Sequence, residues 1–346
     1  MNPNLKDIHL NGITIIRSKR DNDFTDGVLK MGYLFYFMLG FGLFLLGVVM
    51  IGRAIDNLVR DRLSGVVVSC SLAKSCIAGT VSSALLHSSS LVSVVLVELA
   101  DSGLIPLAVA FAAMVGANIG TTATVGIAAL RASWLVIPLI ILSALTGLLS
   151  YLAKRGLFGI PKRYRGLELS RFAGMMLGLA SVIYGLDSMQ NVTSNPETLK
   201  MLQLIFARYS TTVWSSFLTG TVVTAICQSS TVVNVVLISL VREGVMPLTS
   251  GIGVMIGSNL GTCITAIIAS MRKNGAGRNL ALANAAFNLI GGLCFIPFTS
   301  QFCGLLSVIS SEPGMQLAYS HVIFNMVSAV VVFPLIRKIY PEKRRR

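Results

Sequence analysis

Two short polar motifs draw attention because each occurs twice in the chain at the same spacing. Residues 87–90 read His-Ser-Ser-Ser and residues 228–231 read Gln-Ser-Ser-Thr, both within apolar stretches. Each is followed by a glycine-flanked asparagine element, at 116–122 and at 257–263. The step from residue 87 to residue 228 equals the step from 118 to 259, which indicates a long internal repeat. We call this constant interval the repeat step. Duplicated polar elements inside apolar segments indicate a binding site where two repeats of a secondary transporter meet.

The serine motifs have the chemistry of an anion site. A helix that begins just after Ser90 or Thr231 would direct its backbone N–H groups and its positive dipole end at a cavity. The hydroxyl groups would donate further hydrogen bonds. No Lys or Arg lies within about ten residues of either motif, so co-bound cations would have to balance the anion's charge. Simple helix packing is the alternative interpretation.

The asparagine elements offer oxygen atoms that suit a hard cation. They contain a side-chain carbonyl, hydroxyl groups and, if the helix unwinds, free backbone carbonyls. Glycine tolerates such unwinding, which makes both elements candidate glycine-broken helices: Gly116, Gly120, Gly257 and Gly261. The alternative is that these glycines allow two helices to cross closely.

The composition is that of an all-α polytopic membrane protein. Charged residues make up 12% of the chain and the mean hydropathy is +0.76, whereas soluble proteins carry about 25% charged residues. A helix needs about 20 apolar residues to cross the bilayer core, and the sequence contains several such spans: 31–52, 104–127, 132–152, 171–190, 245–270, 279–299 and 316–336. The stretches 66–100 and 211–241 are interrupted by hydroxyl residues and predict re-entrant hairpins.

The charged residues and the cysteines exclude other protein classes. The net charge is +14, but the Lys and Arg residues lie mostly between or outside the spans, which is the positive-inside pattern and argues against nucleic-acid binding. The basic loops would face anionic lipid. The six cysteines lack Cys-x-x-Cys spacing and are interpreted as buried apolar residues without a metal or disulfide role.

The chain divides into repeats, connections and tails. A further similarity relates Gly40 and Gly47 to Gly178 and Gly185, so each repeat begins one helix earlier than the serine motif. The predicted organisation is an N-terminal tail (1–30), repeat 1 (31–131), a connecting span with a basic linker (132–169), repeat 2 (170–272), C-terminal helices (273–336) and a basic tail (337–346).

The topology contains a conflict at this stage. Both termini are basic, which predicts that both are cytosolic. The positive-inside count also puts the 153–170 linker inside, whereas inverted repeats joined by the single span 132–152 would put it outside. We favour inverted repeats, because binding sites of this kind are often built that way.

These residues resemble the type II sodium–phosphate cotransporter family. Its members carry two Gln-Ser-Ser-Ser-like motifs in paired repeats, each followed by a Gly-Ala-Asn-Ile-Gly-Thr-like element, and the resemblance covers about residues 31–336. The chain departs from the family pattern at His87 (for Gln), Cys263 (for a hydroxyl residue) and Asn284 (often His).

The resemblance implies phosphate and Na⁺ ligands. The expected substrate-binding residues are Ser88, Ser89, Ser90, Ser229, Ser230 and Thr231. The expected sodium-binding residues are His87, Asn118, Thr121, Thr122, Gln228, Asn259 and Thr262. For His87, hydrogen bonding in place of the amide and a pH-dependent role both remain open.

The sequence therefore predicts a Na⁺-coupled phosphate symporter that works by alternating access in the bacterial inner membrane. It predicts no enzyme activity and no cofactor beyond the co-transported Na⁺, and it leaves the oligomeric state open, with a homodimer as one option. The alternatives are a carrier for another small oxyanion, a phosphate exporter and a non-transporting membrane protein. An intramembrane serine hydrolase is disfavoured, because no Gly-x-Ser-x-Gly motif is present.

Overall fold

The computed structural model describes residues 5–10, 13–18, 31–54, 71–155, 167–273 and 275–339. Strands β1 (Leu5–Leu10) and β2 (Ile13–Ser18) pair antiparallel, with Leu5 opposite Ser18. This hairpin lies in the predicted N-terminal tail (1–30) and is the one described part of the chain that departs from the all-α prediction. The remaining described elements are helical.

The helices confirm the all-α membrane architecture. In chain order they are α1 (Met31–Ala54), α2 (Leu72–Leu86), α3 (Ser89–Asp101), α4 (Leu107–Ala129), α5 (Val136–Lys154), α6 (Leu167–Thr193), α7 (Pro196–Tyr209), α8 (Val213–Cys227), α9 (Ser230–Arg242), α10 (Leu248–Ser270), α11 (Ala276–Phe295), α12 (Thr299–Ile309) and α13 (Pro313–Ile339). Seven described helical segments are long and apolar enough to span a membrane, and they coincide with the predicted spans.

The serine motifs form the predicted broken hairpins. Helices α2 and α3 are 15 and 13 residues long, as are α8 and α9. At 1.5 Å per residue each is shorter than the bilayer core of about 30 Å, so each pair enters and returns. Gly103 and Gly244 then adopt positive φ angles of 72° and 70° in the turns that lead into α4 and α10, a conformation that glycine adopts without strain.

An ion pair and a hydrogen bond near the helix ends show that the repeats are inverted. Asp101 ends α3, just before α4 begins, and it pairs with Lys273, just after α10 ends. Arg242 ends α9, just before α10 begins, and it donates a hydrogen bond to the carbonyl of Ala129, where α4 ends. Helices α4 and α10 therefore run in opposite directions. We call the two faces of the bundle the Asp101 side and the Arg242 side.

A glycine crossing marks the pseudo-twofold axis. A Cβ atom at Gly40 would lie 3.0 Å from the carbonyl oxygen of Gly185, and one at Gly47 would overlap the carbonyl of Gly178. Helices α1 and α6 thus cross antiparallel. The sequence equates Gly40 with Gly178 and Gly47 with Gly185. Gly40 therefore contacts the counterpart of Gly47, and Gly47 contacts the counterpart of Gly40, which is the exchange that a twofold axis produces.

The prediction that α4 and α10 are broken at their glycines is wrong. Both helices run without interruption through the asparagine elements. A Cβ at Gly116 would overlap the carbonyl of Cys76, and one at Gly257 would overlap that of Phe217. The glycines therefore let α2 pack directly on α4 and α8 on α10, which is the crossing that the sequence analysis held as the alternative.

The inverted repeats also correct the predicted topology. Tyr33, near the start of α1, accepts a hydrogen bond of 3.2 Å from Asn195, which follows α6 on the Arg242 side. Ile336, near the end of α13, packs with Leu72 on the Asp101 side. The two ends of the membrane bundle thus lie on opposite sides, so the prediction of two cytosolic termini does not agree with this arrangement.

The conflict over the basic linker disappears with that correction. Helix α6 ends on the Arg242 side, because Gln190 donates a hydrogen bond of 2.7 Å to the carbonyl of Ala128. It must begin on the Asp101 side, where α13 also ends. Inverted repeats are therefore compatible with a linker on the same side as the C-terminal end of the bundle. Residues 156–166 of that linker lie outside the described residues.

Candidate functional site

The tip of each hairpin has the same backbone geometry. His87 (φ 48°, ψ 27°) and Gln228 (φ 53°, ψ 21°) are left-handed and end α2 and α8. The next residue caps the following helix: the Ser88 hydroxyl accepts from the amide of Leu91 at 3.2 Å, and Ser229 does the same in the second hairpin. A left-handed residue other than glycine costs about 1–2 kcal/mol, and such strain is concentrated at functional sites.

The two tips line one cavity of about 210 Å³. All of the predicted substrate-binding residues line it, together with His87, Gln228 and Thr121 from the predicted sodium set. The remaining lining residues are Cys227 and an apolar wall from α1: Phe41, Phe44, Leu45 and Val48. The space is several times the volume of about 30 Å³ that one water occupies in the liquid, so a small oxyanion fits.

The cavity has the electrostatics of an anion site without a fixed charge. None of its lining residues is Asp, Glu, Lys or Arg. Helices α3 and α9 begin at Ser89 and Ser230, slightly earlier than predicted. The first N–H groups of a helix have no partner within it, so both tips offer backbone donors and hydroxyl groups to the same space.

The asparagines of the repeats lie in the helix core and bond to the C-terminal helices. Asn118 donates to Asn288 at 3.5 Å, and Asn259 donates to Asn325 at 3.3 Å. Each asparagine from the C-terminal helices follows a Phe, at 287–288 and at 324–325. Asn288 also bonds Cys263 of the second repeat, so α11 contacts both halves.

The remaining predicted sodium residues are held within their own helices. Thr121 donates to the carbonyl of Asn118 at 2.8 Å, and Thr262 to that of Asn259 at 2.7 Å. Thr122 donates to the carbonyl of Ile119 at 2.7 Å. Of these residues and the two asparagines, the cavity lining includes Thr121. It does not include Asn118, Thr122, Asn259 or Thr262.

Several buried polar residues were not identified from the sequence. Thr124 bonds His87, with 2.8 Å between Oγ1 and Nδ1. Ser83 and Thr224 are fully buried, and their hydroxyl groups have no hydrogen-bond partner among the described residues. These two are also separated by the repeat step, so a hydroxyl residue at the same position in both repeats, one helical turn before each serine motif, was the signal that could have identified them.

The ion pairs at the helix ends lie outside the cavity. Lys273 bonds Glu98 at 2.8 Å, and this hydrogen bond raises the pKa of its ammonium group. Arg242 bonds Glu312 at 2.7 Å. Burial favours the protonated form of Glu312, but hydrogen bonds from Arg242 and from two backbone amides outweigh it and lower the pKa of that carboxyl. The cavity lining does not include these groups.

Comparisons with known proteins agree with the doubled site. The family model described as Na⁺/Pi-cotransporter matches residues 43–191 and, a second time, residues 182–307. Each match contains one serine motif.

Bacterial relatives are similar over most of this chain. Uncharacterized protein YqeW of Bacillus subtilis (strain 168) is 28% identical over 256 residues, which cover 74% of this chain and 78% of that protein. "Putative inorganic phosphate export protein YjbB" of Escherichia coli (strain K12) is 26% identical over 259 residues, or 75% of this chain. The match covers 45% of YjbB, so the chain spans less than half of that relative's length. No solved structure matches the chain.

Proposed function

Because the chain belongs to the Na⁺/Pi-cotransporter family, we propose that it carries inorganic phosphate across a membrane together with Na⁺, by alternating access. The observation that carries this proposal is the shared cavity. The serine motifs of both halves line one space, and that lining contains no Asp, Glu, Lys or Arg. Helix N-termini and hydroxyl groups are suitable ligands for a tetrahedral oxyanion.

The proposed phosphate ligands are the residues of the two tips. The Ser88 and Ser229 hydroxyls already accept from backbone amides, so their own protons are free to donate to the anion. The first amides of α3 and α9 complete the donor set on each side. In this proposal the serines act as ligands, and neither serves as a nucleophile.

Sodium supplies the positive charge that the lining lacks. We propose Na⁺ ligands among the oxygen atoms of Asn118, Thr121, Thr122, Gln228, Asn259 and Thr262, the predicted set apart from His87. Thr121 and Gln228 reach the cavity itself. A hydroxyl that donates to a carbonyl, as Thr121 does, keeps its lone pairs for a cation. Coupling follows because anion and cation each lower the cost of binding the other.

The proposed location is the bacterial inner membrane, with the Asp101 side in the cytosol. Many basic residues outside the spans flank that side, as the positive-inside rule requires; the described ones include Lys154, Arg155, Arg272, Lys273, Arg337 and Lys338. Net import is the proposed direction. The name of YjbB favours export as the second candidate, through the same site.

The test is uptake of labelled phosphate by reconstituted full-length protein. An inward Na⁺ gradient should drive accumulation, and an equal gradient of choline should not, because the cavity needs a small cation to balance the anion. Protein-free liposomes and liposomes with equal Na⁺ on both sides are the controls.

Each outcome separates the candidates. Equal uptake with Na⁺ and choline would refute the coupling. Movement of labelled sulfate but not phosphate would assign the site to another oxyanion. Vesicles that release preloaded phosphate under an outward Na⁺ gradient, but take up none under an inward gradient, would make export the function.

A further inference from the structure

The orientation of His87 is set by one buried contact. Its Nδ1 lies 2.8 Å from the hydroxyl of Thr124, and the ring stands edge-on to Phe44, with 6.4 Å between centroids. The side chain lines the cavity between the hairpin tips. Since Nδ1 is already bonded, Nε2 is the nitrogen that remains for a bound ion.

The hydroxyl proton of Thr124 decides which nitrogen carries hydrogen. Thr124 is fully buried, and most buried hydroxyl groups have a hydrogen-bond partner, although those of Ser83 and Thr224 have none among the described residues. Its neighbours Thr121 and Thr122 donate to backbone carbonyls, but among the described contacts Thr124 bonds His87. Since His87 Nδ1 is the acceptor that the described contacts offer to this hydroxyl, they favour Thr124 as the donor, and in a neutral imidazole that accepts at Nδ1 the ring proton is on Nε2.

A protonated Nε2 excludes one role and permits another. It has no lone pair for a cation, so it cannot be the Na⁺ ligand that the sequence suggested for His87. It can donate a hydrogen bond to an oxyanion. Hard cations in any case select oxygen ligands over imidazole.

We propose that His87 binds the transported oxyanion through Nε2–H and that Thr124 is the positioning residue that fixes the ring for this bond. The proposal rests on the proposed function of the cavity. It gives the two tips matching roles: His87 donates from one left-handed position, and the amide of Gln228 can donate from the other.

The second half of the molecule offers a matched control. Thr265 lies one repeat step after Thr124 and is its counterpart. Its hydroxyl donates to the carbonyl of Thr262 at 2.8 Å, a bond within its own helix that does not involve Gln228. Removing it therefore leaves the tip contacts unchanged.

The experiment measures the Kd of inorganic phosphate for the purified full-length protein at saturating Na⁺, and the Na⁺ concentration that gives half-maximal phosphate binding. We expect His87→Leu to raise the phosphate Kd about 10- to 150-fold and Thr124→Val about two- to tenfold, because a hydrogen bond to a charged group and a neutral one are lost. His87→Gln and Thr124→Ser, which restore a donor, should stay within about threefold of the wild type. Thr265→Val should match the wild type.

The readouts assign each alternative. A higher half-maximal Na⁺ concentration, with an unchanged phosphate Kd at saturating Na⁺, would make His87 a sodium ligand and overturn the proposal. Unchanged values in every variant would reduce His87 to a packing residue. An equal loss of phosphate affinity in Thr124→Ser and Thr124→Val would show that Thr124 acts through packing and would overturn its role in positioning His87. Failure of the wild-type protein to bind phosphate would refute the proposed function instead.

Discussion

The serines of the two tips act as one site only if a single anion touches both. Ser89 and Ser230 are both buried against the same cavity, although they belong to different halves of the chain. Replacing either by Ala should cost about 1–3 kcal/mol of phosphate affinity, a rise of about five- to 150-fold in Kd. The double variant should be non-additive, because both residues would bond one ligand.

Ligand-free stability provides the control for this pair. If the serines merely pack, each Ala variant should lower the melting temperature of the apo protein and leave the phosphate Kd unchanged. Measuring both quantities for both single variants and the double decides the question. A Kd equal to that of the wild type in either single variant would rule out the shared site.

The sequence located these residues because the repeat marks them twice. The repeat step identified both tips, and the cost of burying hydroxyls in an apolar stretch supplied the physical reason. It could not identify Thr124, since the bond to His87 joins α4 to the end of α2 across 37 residues. Which nitrogen of His87 is free depends on that contact, so the oxyanion role proposed for His87 rests on a neighbour that the sequence does not reveal.

At the scale of the element, glycine in the middle of a membrane helix has two possible explanations. It can let the helix unwind, or it can let another helix approach. Both interpretations require the same sequence, and only the position of α2 relative to α4 distinguishes them. The hairpins could be predicted, because the stretches 66–100 and 211–241 are longer than one membrane span and are interrupted by hydroxyl residues.

Two glycines of α4 allow a controlled test of the packing. A Cβ at Gly116 would overlap the carbonyl of Cys76, whereas one at Gly126 would meet nothing within 4 Å. Gly116→Ala should lower the free energy of unfolding by about 1–3 kcal/mol through overpacking. Gly126→Ala should leave it unchanged or raise it by up to about 1 kcal/mol, since Ala favours helix.

Thermal unfolding in detergent measures both changes. The result that contradicts the packing interpretation is a stable Gly116→Ala protein that no longer binds Na⁺, because a helix that must unwind would lose its function before its stability.

For the whole molecule, the inverted repeat fixes which loops share a side. Ser311 precedes α13 on the Arg242 side, and Arg272 follows α10 on the Asp101 side; both side chains are exposed. In a cysteine-free background, Ser311→Cys should react with a membrane-impermeant thiol reagent on intact cells. Arg272→Cys should react only after permeabilisation, because the Asp101 side is the proposed cytosolic face.

Labelling of both cysteines from one side would contradict the antiparallel arrangement of α4 and α10. Labelling with the sides reversed would keep the fold and invert the proposed orientation. Charge alone predicted one side for both ends of the bundle, yet α1 begins beside Asn195 on the Arg242 side and α13 ends beside Leu72 on the Asp101 side.

Helices α11 and α13 share one kind of buried contact. Each carries an asparagine that bonds the asparagine of a repeat, through Asn288 in one case and Asn325 in the other. Both helices are synthesised after the two hairpins. The other buried contacts differ, because Asn284 and Asn288 of α11 bond Cys263, whereas His321 of α13 bonds Asn259.

The residues that precede α11 and α13 carry opposite charges. Lys273 leads into α11 and meets the carboxylate of Asp101, whereas Glu312 leads into α13 and meets Arg242. Exchanging the two helices would set carboxylate against carboxylate on one face and cation against cation on the other. Like charges brought together penalise a wrong partner more than opposite charges reward the right one. The reversed signs at the two ends thus disfavour any arrangement in which α11 and α13 are exchanged.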